Sequence, residues 1–356
     1  RLESSLVNVT ALDGIYSGQD RKIGVLNSSN EKNYKISLGL LSALTQELVL
    51  EVVDGDPFLQ SFDLMDFPGA RSRRPVARER AELSVTETKI DHFKRGKVAY
   101  LFEKYSNNQL INGLILAIGP GPQEVIGLAE LVDEWVARTH GRKAEDRDCV
   151  ESGLFVVLTK FDQEFASDAG RHKLDGERWS TRLHASLLAP FGGHCPETNW
   201  VNQWDSKGAF RGVHFFRNPF ADQRSLVEYR GEPATSPEVG FVPNRAAEIE
   251  RLRVTCYENL LVQRHVADPE AVWNAAMSLN DGGKSYLLER VMAQNTPEIK
   301  RAQIHNRTTG IVAGLLPRIS RYYTDIAAEA NQAASDARAK KIGFWLAQVQ
   351  ESGRLG

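Results

Sequence analysis

Two uninterrupted apolar runs, Leu114-Ile115-Leu116-Ala117-Ile118 and Leu154-Phe155-Val156-Val157-Leu158, limit what this chain can fold into more than any other feature. Five apolar residues in a row, without alternation, belong to a strand covered on both faces, and such strands occur in parallel sheets whose crossovers lay helices above and below. The surrounding sequence supplies the crossovers. Glu124 to Thr139 predicts a helix between the two runs, and Trp179 to Leu188 predicts another before a third strand at Gly212-Val213-His214-Phe215-Phe216. This alternation predicts an α/β fold with a mostly parallel sheet flanked by helices, whose ligands bind at the carboxyl ends of the strands.

Upstream, Ser5 to Leu12, Lys22 to Leu26 and Leu48 to Val53 read as short strands, and Ser37 to Leu48 as a helix carrying Leu40, Leu41, Leu44 and Leu48 at helical spacing. Phe62-Asp63-Leu64-Met65 reads as a further buried strand, followed by an arginine-rich loop from Arg71 to Arg80 and a helix from Thr86 to Tyr105. From Gly231 to Pro243 the chain turns rich in Pro and Gly. The expected organisation is therefore an α/β domain over residues 1–230, a linker over 231–245 and a helical domain over 246–356, with Ile249, Leu252, Cys256 and Leu260 forming a helical stripe and an Ala-rich helix running from Arg318 to Leu346.

A formal charge of −2 lacks the basic excess that neutralising nucleic-acid phosphates requires. Cys149, Cys195 and Cys256 are odd in number and too widely spaced for a metal knuckle, which points to a reducing compartment. No apolar run reaches the roughly 18 residues of a membrane span, so a cytoplasmic location is expected. The start at Arg1 rather than Met suits a piece of a longer chain.

Two expected strand exits carry turns suited to a guanine nucleotide. The first is Asp66-Phe67-Pro68-Gly69: Asp66 can hold Mg²⁺ through water, and Gly69 lets its N–H approach a terminal phosphate with no Cβ in the way. The second is Thr159-Lys160-Phe161-Asp162, where the Asp162 carboxylate can accept from the N1–H and N2–H₂ edge of guanine while the Lys160 stem lies along the base. Arg217-Asn218-Pro219, after the third strand, can flank the base and ribose, with Asn218 or a backbone N–H reaching the guanine carbonyl oxygen. Ordinary solvated turns fit each of these tetrads and triplets as well. Arg71, Arg73 and Arg74 suit charge neutralisation in a transition state or a plain solvated loop.

The phosphate loop such proteins place ahead of the first turn is missing from the 65 residues before Asp66. Ser278-Leu279-Asn280-Asp281-Gly282-Gly283-Lys284-Ser285 ends like one, yet a serine replaces its first glycine and a helical pattern, not a strand, precedes it, so it reads as a helix–helix turn. His184, His194 and Cys195 are too sparse for zinc.

The run from Phe62 to Arg73 resembles the bacterial SrfC virulence-factor family of large GTPase-like proteins, as do Phe93 to Phe102, Gly121 to Val125, Phe216 to Pro219 and Asn280 to Gly283. The Thr-Lys-x-Asp form of the second turn, with Arg-Asn after the next strand, is also similar to the dynamin end of the P-loop GTPase superfamily. The resemblance implies a GTP-binding, GTP-hydrolysing switch using GTP/GDP and Mg²⁺, with an appended helical domain, a phosphate loop lying before Arg1, and SrfA-like and SrfB-like companions. On this reading Asp66, Gly69, Thr159, Lys160, Asp162, Arg217 and Asn218 form the nucleotide site, and Asp66 the metal site; membrane association and self-association stay open. The competing reading is a nucleotide-inactive GTPase fold that serves as an interaction module in an assembly, and without the phosphate loop this fragment is expected to bind nucleotide weakly.

Overall fold

The structure is a computed structural model that describes residues 21–26, 29, 32–45, 57–66, 86–120, 128–148, 151–165, 175–193, 198–294, 297–320 and 329–352. Strands β1 (Lys22–Leu26) and β2 (Asn33–Ser37) form an antiparallel hairpin that leads into helix α1 (Leu38–Leu44), whose N-cap Ser37 accepts from the Leu40 N–H. A 3₁₀ turn at Pro57–Gln60 precedes α2 (Thr86–Asn107), β3 (Leu114–Ile118) and α3 (Leu128–Thr139). Next come β4 (Leu154–Leu158), α4 (Asp175–Leu183), β5 (Val213–Phe215) and the hairpin of β6 (Val227–Tyr229) and β7 (Glu238–Phe241). Helices α5 (Ala246–Glu258), α6 (Leu260–His265), α7 (Pro269–Ala276), α8 (Lys284–Ala293), α9 (Pro297–Ser320) and α10 (Glu329–Ser352) follow.

The fold is mixed α/β, and its centre is a three-stranded parallel sheet in the order β3-β4-β5. All five residues of β4 are buried, as the unbroken apolar run predicts of a central strand, whereas the same expectation fails for β3, an edge strand of this sheet in which Ile115 and Ala117 are exposed. Leu154, Val156 and Leu158 face the main core with Trp135, Trp179, Trp200 and Trp273. Phe155 and Val157 face a smaller cluster with Phe58, Leu287 and Val291, so α8 and the 3₁₀ turn cover the opposite face. Helix α4 passes into a π-helical stretch at His184–Gly192 that contains Pro190, a residue with no N–H to give to a regular ladder.

Irregular chain is held by side chains where ladders are absent. The buried Arg147 guanidinium donates to the carbonyls of Gly141, Arg142, Thr198, Gln203 and Trp204, and lies over the Trp204 ring. Polar backbone that would otherwise be orphaned in the 198–204 loop is thereby satisfied.

Two further expectations are corrected here. Phe62–Met65 lies in no ladder: Phe62 stacks on Phe58, with ring centroids 4.6 Å apart, and packs on the cluster of Phe155 and Val157, Met65 packs on the main core, and Leu64 is 71% exposed, so the run is partly buried chain rather than a buried strand. The division of the chain also falls elsewhere than 231–245. That stretch contains β7, and Leu252, Cys256, Val262, Val272 and Trp273 from the following helices share the main core with the sheet. The two compact units are Arg1–Asn306 and Arg307–Gly356. The strands expected at Ser5 to Leu12 and Leu48 to Val53 lie outside the described residues.

Candidate functional site

The carboxyl edge of the parallel sheet gathers the turn after β4 and the turn after β5. Adjacent parallel strands in register, Val156 beside Val213 and Leu158 beside Phe215, bring Thr159–Asp162 and Phe216–Asn218 to the same edge. Backbone bonds tie them together: Thr159 N donates to Ile118 O at 2.9 Å and Phe161 N to Phe216 O at 3.1 Å. Arg182, reaching from α4, donates to the carbonyls of both Ile118 and Thr159 at 3.0 Å. The ends of β3 and β4 are thus clamped by one guanidinium, whose residue type and position no motif in the sequence announced.

Within the turn, Lys160 takes the left-handed backbone conformation at φ 58°, which is uncommon for a residue with a Cβ. Its side chain is exposed, and Asp162 is half-buried in the 3₁₀ turn Phe161–Phe165. Burial pushes the Asp162 carboxyl above the usual carboxylate range; a backbone hydrogen bond and the Arg217 and Lys160 cations draw it partly back. Phe161 points the other way, into a cage of Phe165, Trp179, Phe215 and Trp273.

Arg217 is wholly enclosed, and its donors are spent within the protein. It pairs with both oxygens of Glu238 and donates also to Gln223 Oε1, Ala276 O and Ser278 O. Asn218 is exposed, and its Oδ1 accepts from Phe220 N at 3.0 Å.

Asp66 is exposed at the end of the described stretch 57–66, and among the described residues no hydrogen bond or ion pair joins it to the Asp162 turn. Gly69, Arg71, Arg73 and Arg74 lie outside the described residues, as do His194 and Cys195. Among the described residues no group of three or more His, Cys, Asp or Glu side chains could hold a metal ion, and Asp66 alone offers a single carboxylate. No described helix is long and apolar enough to cross a membrane.

Ser278–Gly283 connects α7 to α8, with Gly282 and Gly283 at φ 62° and 99°. The Asp281 carboxylate accepts from the N–H groups of Gly283 and Ser285 and from the Ser285 hydroxyl.

Parallel strands, helices on both faces and an acidic turn at the exit of the central strand define an α/β protein whose candidate site is the carboxyl edge of its sheet. Residues 2–356 match the family described as "Putative bacterial virulence factor", and the chain belongs to that family. Neither the curated proteins nor the solved structures contain a match to it.

Proposed function

We propose that this chain carries the base-selecting edge of a guanine-nucleotide switch with a P-loop-GTPase-like sheet. The observation that supports this most is Asp162: a half-buried carboxylate at the exit of the central parallel strand, in a turn whose Thr159 and Phe161 N–H groups are bonded to both neighbouring strand exits. An ionised carboxylate there accepts two hydrogen bonds from guanine and none from the corresponding edge of adenine. The extended stem of Lys160 covers one face of the base, and the Asn218 amide nitrogen is available to donate to the guanine carbonyl oxygen. Arg217 supports the edge from behind rather than touching the base, since its five N–H donors are engaged.

The reading concerns base selection. Mg²⁺ held by Asp66 through water stays with the wider proposal, and no hydrolytic step is assigned. Saturation-transfer NMR, which registers millimolar binding, tests the proposal: GDP should saturate in preference to ADP, and equal transfer to both would overturn it. Hydrolysis, and the SrfA-like and SrfB-like companions, belong to the wider proposal.

A second reading, an interaction module that binds no nucleotide, is favoured by one feature. On α10, Ile342, Trp345, Leu346 and Val349 form a helical stripe that is 47–61% exposed, and Ile311, Val312, Leu315, Leu316 and Ile319 are exposed on α9. Absence of any nucleotide preference, with stable capture of another protein by these helices, would favour it.

A further inference from the structure

Glu238 is a residue with no motif around it, on a short strand in a stretch expected to be linker, yet its side chain is fully buried. The network it anchors leads to the candidate site through a series of short contacts. Phe161 N, in the Asp162 turn, donates to Phe216 O at 3.1 Å. The next residue, Arg217, donates its backbone N–H to Gly282 O at 2.9 Å and its guanidinium to both Glu238 oxygens. Asn280, at φ 63°, closes the circuit: its N–H donates to Glu238 Oε2 at 2.6 Å, its Oδ1 accepts from Glu238 N at 2.7 Å, and its Nδ2 donates to Glu238 O at 3.0 Å.

The glycines of this turn are placed for the same reason. A Cβ on Gly282 would lie 2.1 Å from Arg217 O, and one on Gly283 2.8 Å from Phe215 O, so the α7–α8 turn is pressed directly onto the backbone leaving β5. A buried ion pair adds little net stability over well-packed apolar residues, but one with every donor and acceptor satisfied permits a single arrangement of the elements it joins.

We infer that Glu238 is a positioning residue for guanine selection: by holding Arg217, and with Asn280 as its brace, it fixes the strand exit to which the Asp162 turn is hydrogen-bonded. This rests on the base reading above. The Arg217 charge also favours the ionised form of Asp162, opposing the larger effect of burial.

The test uses the chain as it stands, with GDP and ADP as probes in saturation-transfer NMR. Glu238→Gln keeps the side-chain volume and an acceptor for Asn280 while removing the charge that holds Arg217. Asn280→Gly keeps the positive φ accessible and deletes two braces at an exposed position, which guards against loss of fold. Both should lower the GDP-to-ADP preference, by about fivefold or more for Glu238→Gln, with ADP binding unchanged. A merely structural role would weaken both nucleotides together or neither, and either result in folded variants overturns the inference. If Asp162→Asn moves preference toward XDP while Glu238→Gln and Asn280→Gly leave the ratio intact, the base reading stands and this assignment alone falls. If the unaltered chain shows no preference for GDP, both fall.

Discussion

Phe161 stacks on Phe215 with ring centroids 4.6 Å apart and planes 7° from parallel, so the residue between Lys160 and Asp162 is anchored in the core by the last residue of the neighbouring strand. One side of the turn is thereby fixed by packing while the other side carries the polar groups. Phe161→Ala removes a ring that also meets Trp179 and Trp273, and should cost about 3–5 kcal/mol in denaturant unfolding. Phe161→Leu should recover more than half of that loss.

Asp162→Asn should exchange a preference for GDP for one for XDP, because an acceptor oxygen becomes a donor. It should also raise the melting temperature at neutral pH. The folded carboxyl is raised above its unfolded value, so the folded state binds the proton more tightly; stability from this group is whole below the unfolded value and is lost as pH rises through the folded one. The gain from Asn should therefore shrink when melts are run near pH 3.

His140 and His214 set an acid limit. His140 is fully buried, pairs with Thr139 Oγ1 and accepts from Gly153 N, and burial with the Arg147 charge lowers it to about 3; burial and Arg290 lower His214 to about 4. Both folded values lie below the ordinary 6.5, so their contribution is whole above about pH 6.5 and is lost as pH falls toward 4 and 3. His214 Nδ1 has no partner among the described residues, and the ring sits near Phe155 and Tyr286. His214→Phe should raise the melting temperature at pH 5 more than at pH 8.

Two glycine substitutions should have opposite signs. Gly282→Ala forces a Cβ onto Arg217 O at positive φ and should destabilise by about 2 kcal/mol or more. Gly310→Ala, in α9 with nothing within 4 Å of the added carbon, should stabilise that helix by about 0.5–1 kcal/mol. Paired thermal melts with circular dichroism check both.

Shortening the chain to residues 1–306 should leave the cooperative melt of the sheet-bearing unit intact. Lys300, Gln303 and Asn306 hold α9 to Gln109, Asn112 and His140, and all three are retained. A melt lowered by more than about 5 °C would show that the tail contributes to the first unit's stability.

The strands most legible in the sequence were those written as unbroken apolar runs: Leu114–Ile118 and Leu154–Leu158 are strands at the limits read from the sequence, and β5 lies within its expected run, but only β4 is covered on both faces, since Ile115 and Ala117 of β3 are exposed. Phe62–Met65 failed because a short apolar run can pack its Phe62 and Met65 side chains against core clusters without entering a ladder. The boundary at 231–245 failed because Pro and Gly signal turns, and turns join β6 and β7 inside one core as readily as they join domains. Arg182 and Glu238 were invisible, and the role of Asn280 within its turn was unread, for a different reason: each acts through groups far away in sequence, and no local spacing records such partners.

The Asp281 carboxylate occupies the amide cradle of its own turn. Any free phosphate approaching Gly283 and Ser285 competes with an anion that can never diffuse away, and its like charge meets repulsion as well as occupancy. The resemblance of Gly282-Gly283-Lys284-Ser285 to a phosphate loop is therefore self-quenching: the segment supplies both the receptor and a permanent inhibitor.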